Sequence, residues 1–252
     1  MTTLTFVSGP NICPECGDVI ETRIAEHRGI IFVYRCRCEY NERIKLYEEI
    51  EEEERRRKIQ NIFEGAKIPR RYASLDIKDF DTSRPGAEDA LKKVLQYIEN
   101  IEENVKEGKG MVLWGGTGTG KTLLAVATLK AAMNRGYTGL FQNAPELMYH
   151  FNSTYSTAET ERDIIDALRN VDVLVLDDLD KGKWTEKVSE RIYVIINARY
   201  GGVKPTLITT NLDPRSLLEL VGEPIFDRIR ECSIFVGLSG ESFRKKKATG
   251  GK

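Results

Sequence analysis

Eight residues limit what this chain can become. Gly115-Gly116-Thr117-Gly118-Thr119-Gly120-Lys121-Thr122 fits the pattern G-x-x-x-x-G-K-[ST] in full. The run lies between an apolar stretch, Met111 to Trp114, and a helical stretch, Lys121 to Asn134. That is the strand, loop and helix order the pattern needs to work as a phosphate cradle. Glycines let successive backbone N–H groups turn inward around phosphate oxygens, and the start of a helix adds the positive end of its dipole. Lys121 is then placed to reach the β and γ phosphates of a nucleoside triphosphate, and the Thr122 hydroxyl to ligate Mg2+.

Around the loop, helical and short apolar runs alternate. A helix from about Ala87 to Lys106 precedes it, and a strand from Thr138 to Gln142 follows its helix. Next come a buried run, Val171 to Leu176, a helix from Glu186 to Tyr200 and a strand from Thr206 to Thr209. Continuous apolar strands separated by helices predict an α/β fold whose mostly parallel sheet is covered on both faces. Ligands of such sheets bind at the C-terminal edge, and there the Val171 run ends in Asp177-Asp178. We read this pair as a Walker B arrangement. Asp177 is expected to hold Mg2+ directly or through water, and Asp178 to orient or deprotonate the attacking water. Asp178 is shorter than the Glu usual at that position, so hydrolysis follows less directly than binding. Asp180 is a candidate cap for the next turn. The third strand ends in Thr210-Asn211, where the Asn211 amide is placed to bond both the water and the γ phosphate.

Upstream lies a different kind of segment. Four of the five cysteines, Cys13, Cys16, Cys36 and Cys38, surround a β-like stretch from Ile30 to Tyr34. No apolar run approaches the ~18 residues that span a bilayer, and the N-terminus lacks the order of a signal peptide. A cytosolic protein with no membrane partner is expected, and in that reducing compartment a disulfide framework is not. Cys13-Pro14-Glu15-Cys16-Gly17 has the form of a zinc knuckle, and Cys36-Arg37-Cys38 can complete four thiolates, with His27 as the reserve ligand. A segment of some 40 residues rarely folds on its own core, which favours structural zinc. Cys232, far away, reads as a small buried residue.

From Asn41 to about Gly65, Leu46, Ile50, Ile59, Ile62 and Phe63 recur at helical spacing around the charge run Glu51 to Lys58. Glu51, Glu52 and Glu53 precede Arg55, Arg56 and Arg57 in the favourable i,i+4 sense. Ile68-Pro69 breaks the pattern. The expected division is residues 1–40 as a zinc module, 41–68 as a charged helical linker, 69–244 as the nucleotide-binding domain and 245–252 as a flexible basic tail. A formal net charge of -1 gives no global field for nucleic acid, so any DNA contact must be a local patch.

Several further pieces occur in order: Ile68-Pro69-Arg70-Arg71-Tyr72, the glycine loop, Val175-Leu176-Asp177-Asp178-Leu179, Ile196-Asn197-Ala198-Arg199-Tyr200, Pro205 to Leu212, Asp227-Arg228-Ile229-Arg230-Glu231-Cys232 and Ser242-Phe243-Arg244. From about Pro69 to Arg244 the series resembles AAA+ helicase loaders of the DnaC/DnaI type and their relatives, the IstB transposition helper ATPases. The resemblance implies a P-loop NTPase of the AAA+ class that uses ATP with Mg2+, grips the replicative DNA helicase and meets single-stranded DNA. It also implies a homo-oligomer in which Arg228 is the arginine finger, with Arg230 as its rival, and in which Arg244 is the sensor 2 arginine. Pro224 stands where some loaders carry a further basic residue. In DnaI-like loaders a zinc-bearing N-terminal domain contacts the helicase. The alternative is an IstB-like regulator that acts on duplex DNA with a transposase.

Overall fold

The computed structural model describes residues 12–27, 29–153 and 158–239, and their side chains except those of 51, 52, 55–64 and 158–160. The chain divides into two compact units, residues 1–58 and 59–252.

The first unit is built on a knuckle and a hairpin. Ile12 bridges Val19, the Gly17 N–H donates to the Cys13 carbonyl at 2.9 Å, and Gly17 takes φ 72°, which its lack of Cβ permits. Strands β1 (Arg23–His27) and β2 (Ile30–Tyr34) pair antiparallel, with Ala25 opposite Phe32. Helix α1 spans Arg37–Gly65, so Cys38 stands in its first turn, ahead of the expected start at Asn41. Side chains alternate across a strand. Phe32 packs edge-on against Tyr47, with ring centres 5.7 Å apart, while Ile24, Ile31 and Val33 stay exposed. Arg55, Arg56 and Arg57, the expected i,i+4 partners in the charge run, and the apolar Ile59, Ile62 and Phe63 lie outside the described side chains.

In the second unit, five strands form one parallel sheet: β3 (Gly110–Gly115), β4 (Gly139–Asn143), β5 (Val173–Asp177), β6 (Thr206–Thr210) and β7 (Ser233–Leu238), in the order β4-β5-β6-β3-β7. Every expected strand is present, and β7 is an addition that no periodicity announced. Because successive residues face opposite ways, Met111, Leu113 and Val175 enter a core with helices α3 (Ala87–Glu99) and α5 (Lys121–Asn134). Val112, Leu174 and Leu176 enter a second core with α6 (Ala144–Asn152), α7 (Ala158–Asn170) and α8 (Glu186–Gly201). Helices on both faces leave the strand interiors dry, as the unbroken apolar runs imply.

The helix expected from Ala87 to Lys106 is two. Asn100 separates α3 from α4 (Ile101–Lys106), and its side-chain amide donates to the Gln96 carbonyl at 2.9 Å, competing with the helical ladder. Beyond β6 lie α9 (Pro214–Val221) and α10 (Glu223–Cys232). Two cations fasten this frame. Arg199, 1% exposed, donates to the carbonyls of Leu168 (2.9 Å), Val171 (2.7 Å), Asp172 (3.0 Å) and Pro205 (2.6 Å) and to the Thr206 hydroxyl (3.0 Å). It thereby ties the entry of β5 to the entry of β6. Lys130 on α5 donates to the carbonyls of Tyr72 (2.9 Å), Ala73 (2.7 Å) and Leu75 (2.8 Å), which closes the short α2 (Arg70–Ala73). Among the described residues, no helix is long and apolar enough to cross a membrane.

Candidate functional site

The glycine loop leaves the end of β3 and enters α5 at Lys121. Gly120 precedes that helix with φ 98° and offers no side-chain cap, so the first-turn N–H groups face outward as donors. The two ends of the loop need glycine for different reasons. At Gly115, with φ 134°, a Cβ would lie 2.0 Å from the Leu238 carbonyl oxygen of β7. At Gly120 it would lie 2.7 Å from the Phe80 ring.

One cavity of about 700 Å³ is lined by Thr117, Gly118, Gly120, Lys121, Thr122, Asp177, Asp178 and Asn211, together with Lys181 and residues of the 71–84 segment. That volume falls within the ~300–1,000 Å³ of small-molecule sites. Lys121, 5% exposed, donates to the carbonyls of Gly115 and Gly116 at 2.8 Å each and to Asn211 Oδ1 at 3.0 Å. Burial pulls its ammonium below the usual lysine range, against the opposing charges of Asp178 and Asp180. The Thr122 hydroxyl donates to Asp177 Oδ1 at 2.8 Å, and the Thr209 hydroxyl donates to the same oxygen at 2.7 Å. Burial pushes the Asp177 carboxyl up, and those hydroxyls only partly offset it. A buried carboxylate beside a hydroxyl, both offering hard oxygens, is a donor set suited to Mg2+.

Asp178 takes the left-handed backbone conformation, φ 56°, which is uncommon outside glycine and often marks functional turns. Its Oδ2 accepts from Lys181 Nζ at 2.7 Å. Asp180, a candidate cap, instead accepts from the Asn211 backbone N–H at 2.7 Å and from Asn211 Nδ2 at 2.8 Å. Burial alone would raise the Asp180 carboxyl, but these donors hold it below the usual range. Thr209, Asp180 and Lys181 are thus site residues that the sequence reading did not assign there. So are Phe80 and Arg84, both lining the cavity, the latter bonded to the Thr119 carbonyl at 3.0 Å. No local pattern marks Thr209, Asp180, Phe80 or Arg84, because each meets its site partner across 31 or more positions of sequence, whereas Lys181 lies three residues from Asp178.

Arg228 is not among the residues lining this cavity. It lies on α10, where Nε donates to Asn197 Oδ1 at 2.8 Å and Nη1 to the Pro224 carbonyl at 2.6 Å, with its guanidinium 5.1 Å from the Tyr193 ring centre. Arg230 is exposed and pairs with Asp227 at 2.6 Å. Cys232 is half-buried rather than buried, because as the last residue of α10 its thiol turns back to the Arg228 carbonyl, 3.0 Å away. Arg244 and the tail, 245–252, lie outside the described residues.

The four N-terminal cysteines converge. All four sulfurs lie within 4.8 Å of one another, with Cys13 to Cys38 at 3.4 Å and Cys36 to Cys38 at 3.0 Å. A tetrahedron of Zn–S bonds of about 2.3 Å separates sulfurs by about 3.8 Å, so the group fits zinc. The tight C-x-C spacing works because Cys36 precedes α1 and Cys38 stands in its first turn. Backbone amides of Cys16 and Glu15 pull the Cys13 thiol down to about 6, while the neighbouring thiols push Cys38 up. His27 stands apart from the cluster, its Nε2 3.7 Å from Glu48.

Known proteins share this architecture. The replicative helicase loader DnaC of Escherichia coli (strain K12) is 28% identical over 201 residues, covering 78% of this chain and 80% of that protein. The DnaC of Buchnera aphidicola subsp. Schizaphis graminum is 27% identical over 203 residues, covering 79% and 80%. The crystal structure of the DnaC helicase loader superposes with a TM-score of 0.61 at 29% identity, over 68% of this chain and all of that one. DnaI superposes with a TM-score of 0.59 at 25% identity, covering 70% and 94%. The replication initiator DnaA bound to AMPPCP and single-stranded DNA, at 21% identity and a TM-score of 0.57, covers 69% of this chain and 52% of its own; it shares the fold. The fold is therefore that of the AAA+ P-loop proteins, and residues 35–250 match the IstB-like ATP binding protein family, to which this chain belongs.

Proposed function

We propose that this chain is an ATP-dependent loader of a replicative DNA helicase. The observation that carries the reading is the convergence of Lys121, Thr122, Asp177 and Asn211 on one cavity, in a chain similar to DnaC over 80% of that protein's length. ATP supplies the transferable γ-phosphoryl group. Backbone N–H groups from Gly115 to Thr122 cradle its phosphates, and Lys121 gives up one of its present acceptors to reach the β and γ oxygens. Thr122 and Asp177 hold Mg2+. Asp178, once its carboxylate is free of Lys181, orients the attacking water, and Asn211 bonds the γ phosphate. Turnover is slow and depends on assembly, because Arg228 completes the site of a neighbouring copy. Its planar fork stays charged and suits phosphate oxygens. Arg244 keeps its expected sensor 2 role. The four cysteines hold structural zinc, and their module docks on the helicase, while the ATP-binding part contacts single-stranded DNA.

The test is a pull-down with the full chain from its native extract, with Mg–ATP present. Recovery of a hexameric helicase by the wild-type chain, reduced for Lys121→Ala, supports the loader. Recovery of a transposase without helicase assigns the chain to the IstB-like alternative instead.

A further inference from the structure

The segment that follows β5 is fastened to the end of β6 at three successive points. The Asp178 N–H donates to the Thr209 hydroxyl at 2.8 Å, the Leu179 N–H to the Thr209 carbonyl at 2.9 Å, and Asp180 receives both N–H groups of Asn211. The last of these differs in kind, because it engages the side chain that the proposed mechanism turns toward the γ phosphate. Asn211 Nδ2 faces a carboxylate at 2.8 Å, and Asn211 Oδ1 faces the Lys121 ammonium at 3.0 Å and the Thr117 hydroxyl at 3.4 Å. The amide dipole therefore lies between a negative and a positive group. Turning it by half a revolution would set Nδ2 against the ammonium and Oδ1 against the carboxylate, two contacts of like polarity.

We propose that Asp180 is a positioning residue for the nucleotide site: by clamping Asn211 at backbone and side chain, it fixes which end of the amide meets Lys121 and thereby sets the preference for ATP over ADP. This rests on the assignment of the nucleotide to the glycine loop. Lys121 has three protons, and three acceptors take them in this structure. A triphosphate reaching Lys121 must displace at least one acceptor, and Asn211 is the only one of them that is a side chain. Held by Asp180 through one Nδ2 proton, the amide keeps its second Nδ2 proton as a donor beside the phosphate rather than swinging away. ADP, which lacks the γ phosphate, gains little from that placement. Asp180 thus acts on discrimination and not on phosphate affinity in general.

The experiment measures affinity for Mg–ADP and for Mg–β,γ-methylene-ATP by titration calorimetry on the full chain, with wild type, Asp180→Asn, Asp180→Ala, Asn211→Ala and the Asp180→Ala/Asn211→Ala double variant. Asp180→Asn keeps the shape and one acceptor oxygen while turning an N–H toward the other Asn211 donor, so a thermal midpoint near wild type is expected. Both Asp180 variants should bind ADP within about twofold of wild type and the ATP analogue about tenfold more weakly, matching Asn211→Ala, with the double variant no worse than either single one. A merely structural role would lower both affinities together and leave their ratio unchanged. An unchanged ratio in Asp180→Asn, or additive losses in the double variant, would overturn the proposal. If the wild-type chain binds neither nucleotide, the site assignment fails instead, which separates the two failures.

Discussion

Replacing Arg199 tests how the frame sets the site. Its guanidinium makes five hydrogen bonds at the entries of β5 and β6. At roughly 2 kcal/mol for each bond from a charged donor, these contribute about 10 kcal/mol. Burial opposes them, pulling the guanidinium from its ordinary value down to about 9, so the net stabilisation is well below that sum. Arg199→Met keeps the aliphatic volume and leaves the five acceptors without their donor, so a loss of about 3–5 kcal/mol is expected. For a domain of this size that lowers the thermal midpoint by about 10–15 °C. Arg199→Lys should recover only part of the loss, since an ammonium carries three protons for five acceptors. Thermal unfolding followed by circular dichroism decides it. A drop of less than about 3 °C in Arg199→Met, or a lysine variant as stable as wild type, would refute the reasoning.

Lys121→Ala should weaken ATP binding at least about hundredfold, as loss of a buried charged contact implies; unchanged affinity in a calorimetric titration would remove the loop from the site. Arg228→Ala should bind ATP normally but lose ATPase or assembly, read by turnover and size-exclusion profiles; normal values for both would transfer the role to Arg230 or abolish it. Elemental analysis of the full chain purified under reducing conditions should find about one zinc per chain, and Cys38→Ser should lower that content, with a metal-free wild type counting against the cluster. Burial would raise the Glu161 carboxyl, but Lys187 at 2.5 Å and Arg191 at 3.2 Å hold it below its ordinary value. Its contribution is then present above the unfolded value of about 4.3 and lost as pH falls through the folded one. Glu161→Gln should therefore be less stable than wild type at pH 7, with a difference that shrinks as pH falls below about 4.3 and through the folded value, by urea titration. Equal stability at pH 7 would sink that account.

The sheet was legible because its strands are buried on both faces and so read as unbroken apolar runs. Helix α5 was legible at both ends, since a glycine loop starts it and Gly136 follows its end. The break at Asn100 was not, because no proline or glycine marks it and the cause is a side chain bonding its own turn. Strand β7 was hidden in a different way. Its residues Ser233 to Leu238 are recognisable as a strand only beside β3, where the missing Cβ of Gly115 admits the Leu238 carbonyl. Within the site, Lys121, Thr122 and Asp177 carry a motif, whereas Thr209 and Asp180 act through contacts that span 31 or 32 positions of sequence. Spacing rules see neighbours in sequence, and these residues are neighbours only in space.

Lys130 has a mechanical meaning for whatever enters the cavity. Its three protons are all engaged by the turn after Arg71, so one wall of the chamber is riveted to the same helix whose first turn forms the floor. A ligand that shifts α5 carries that wall with it, since parting the two would break three charge-assisted bonds together.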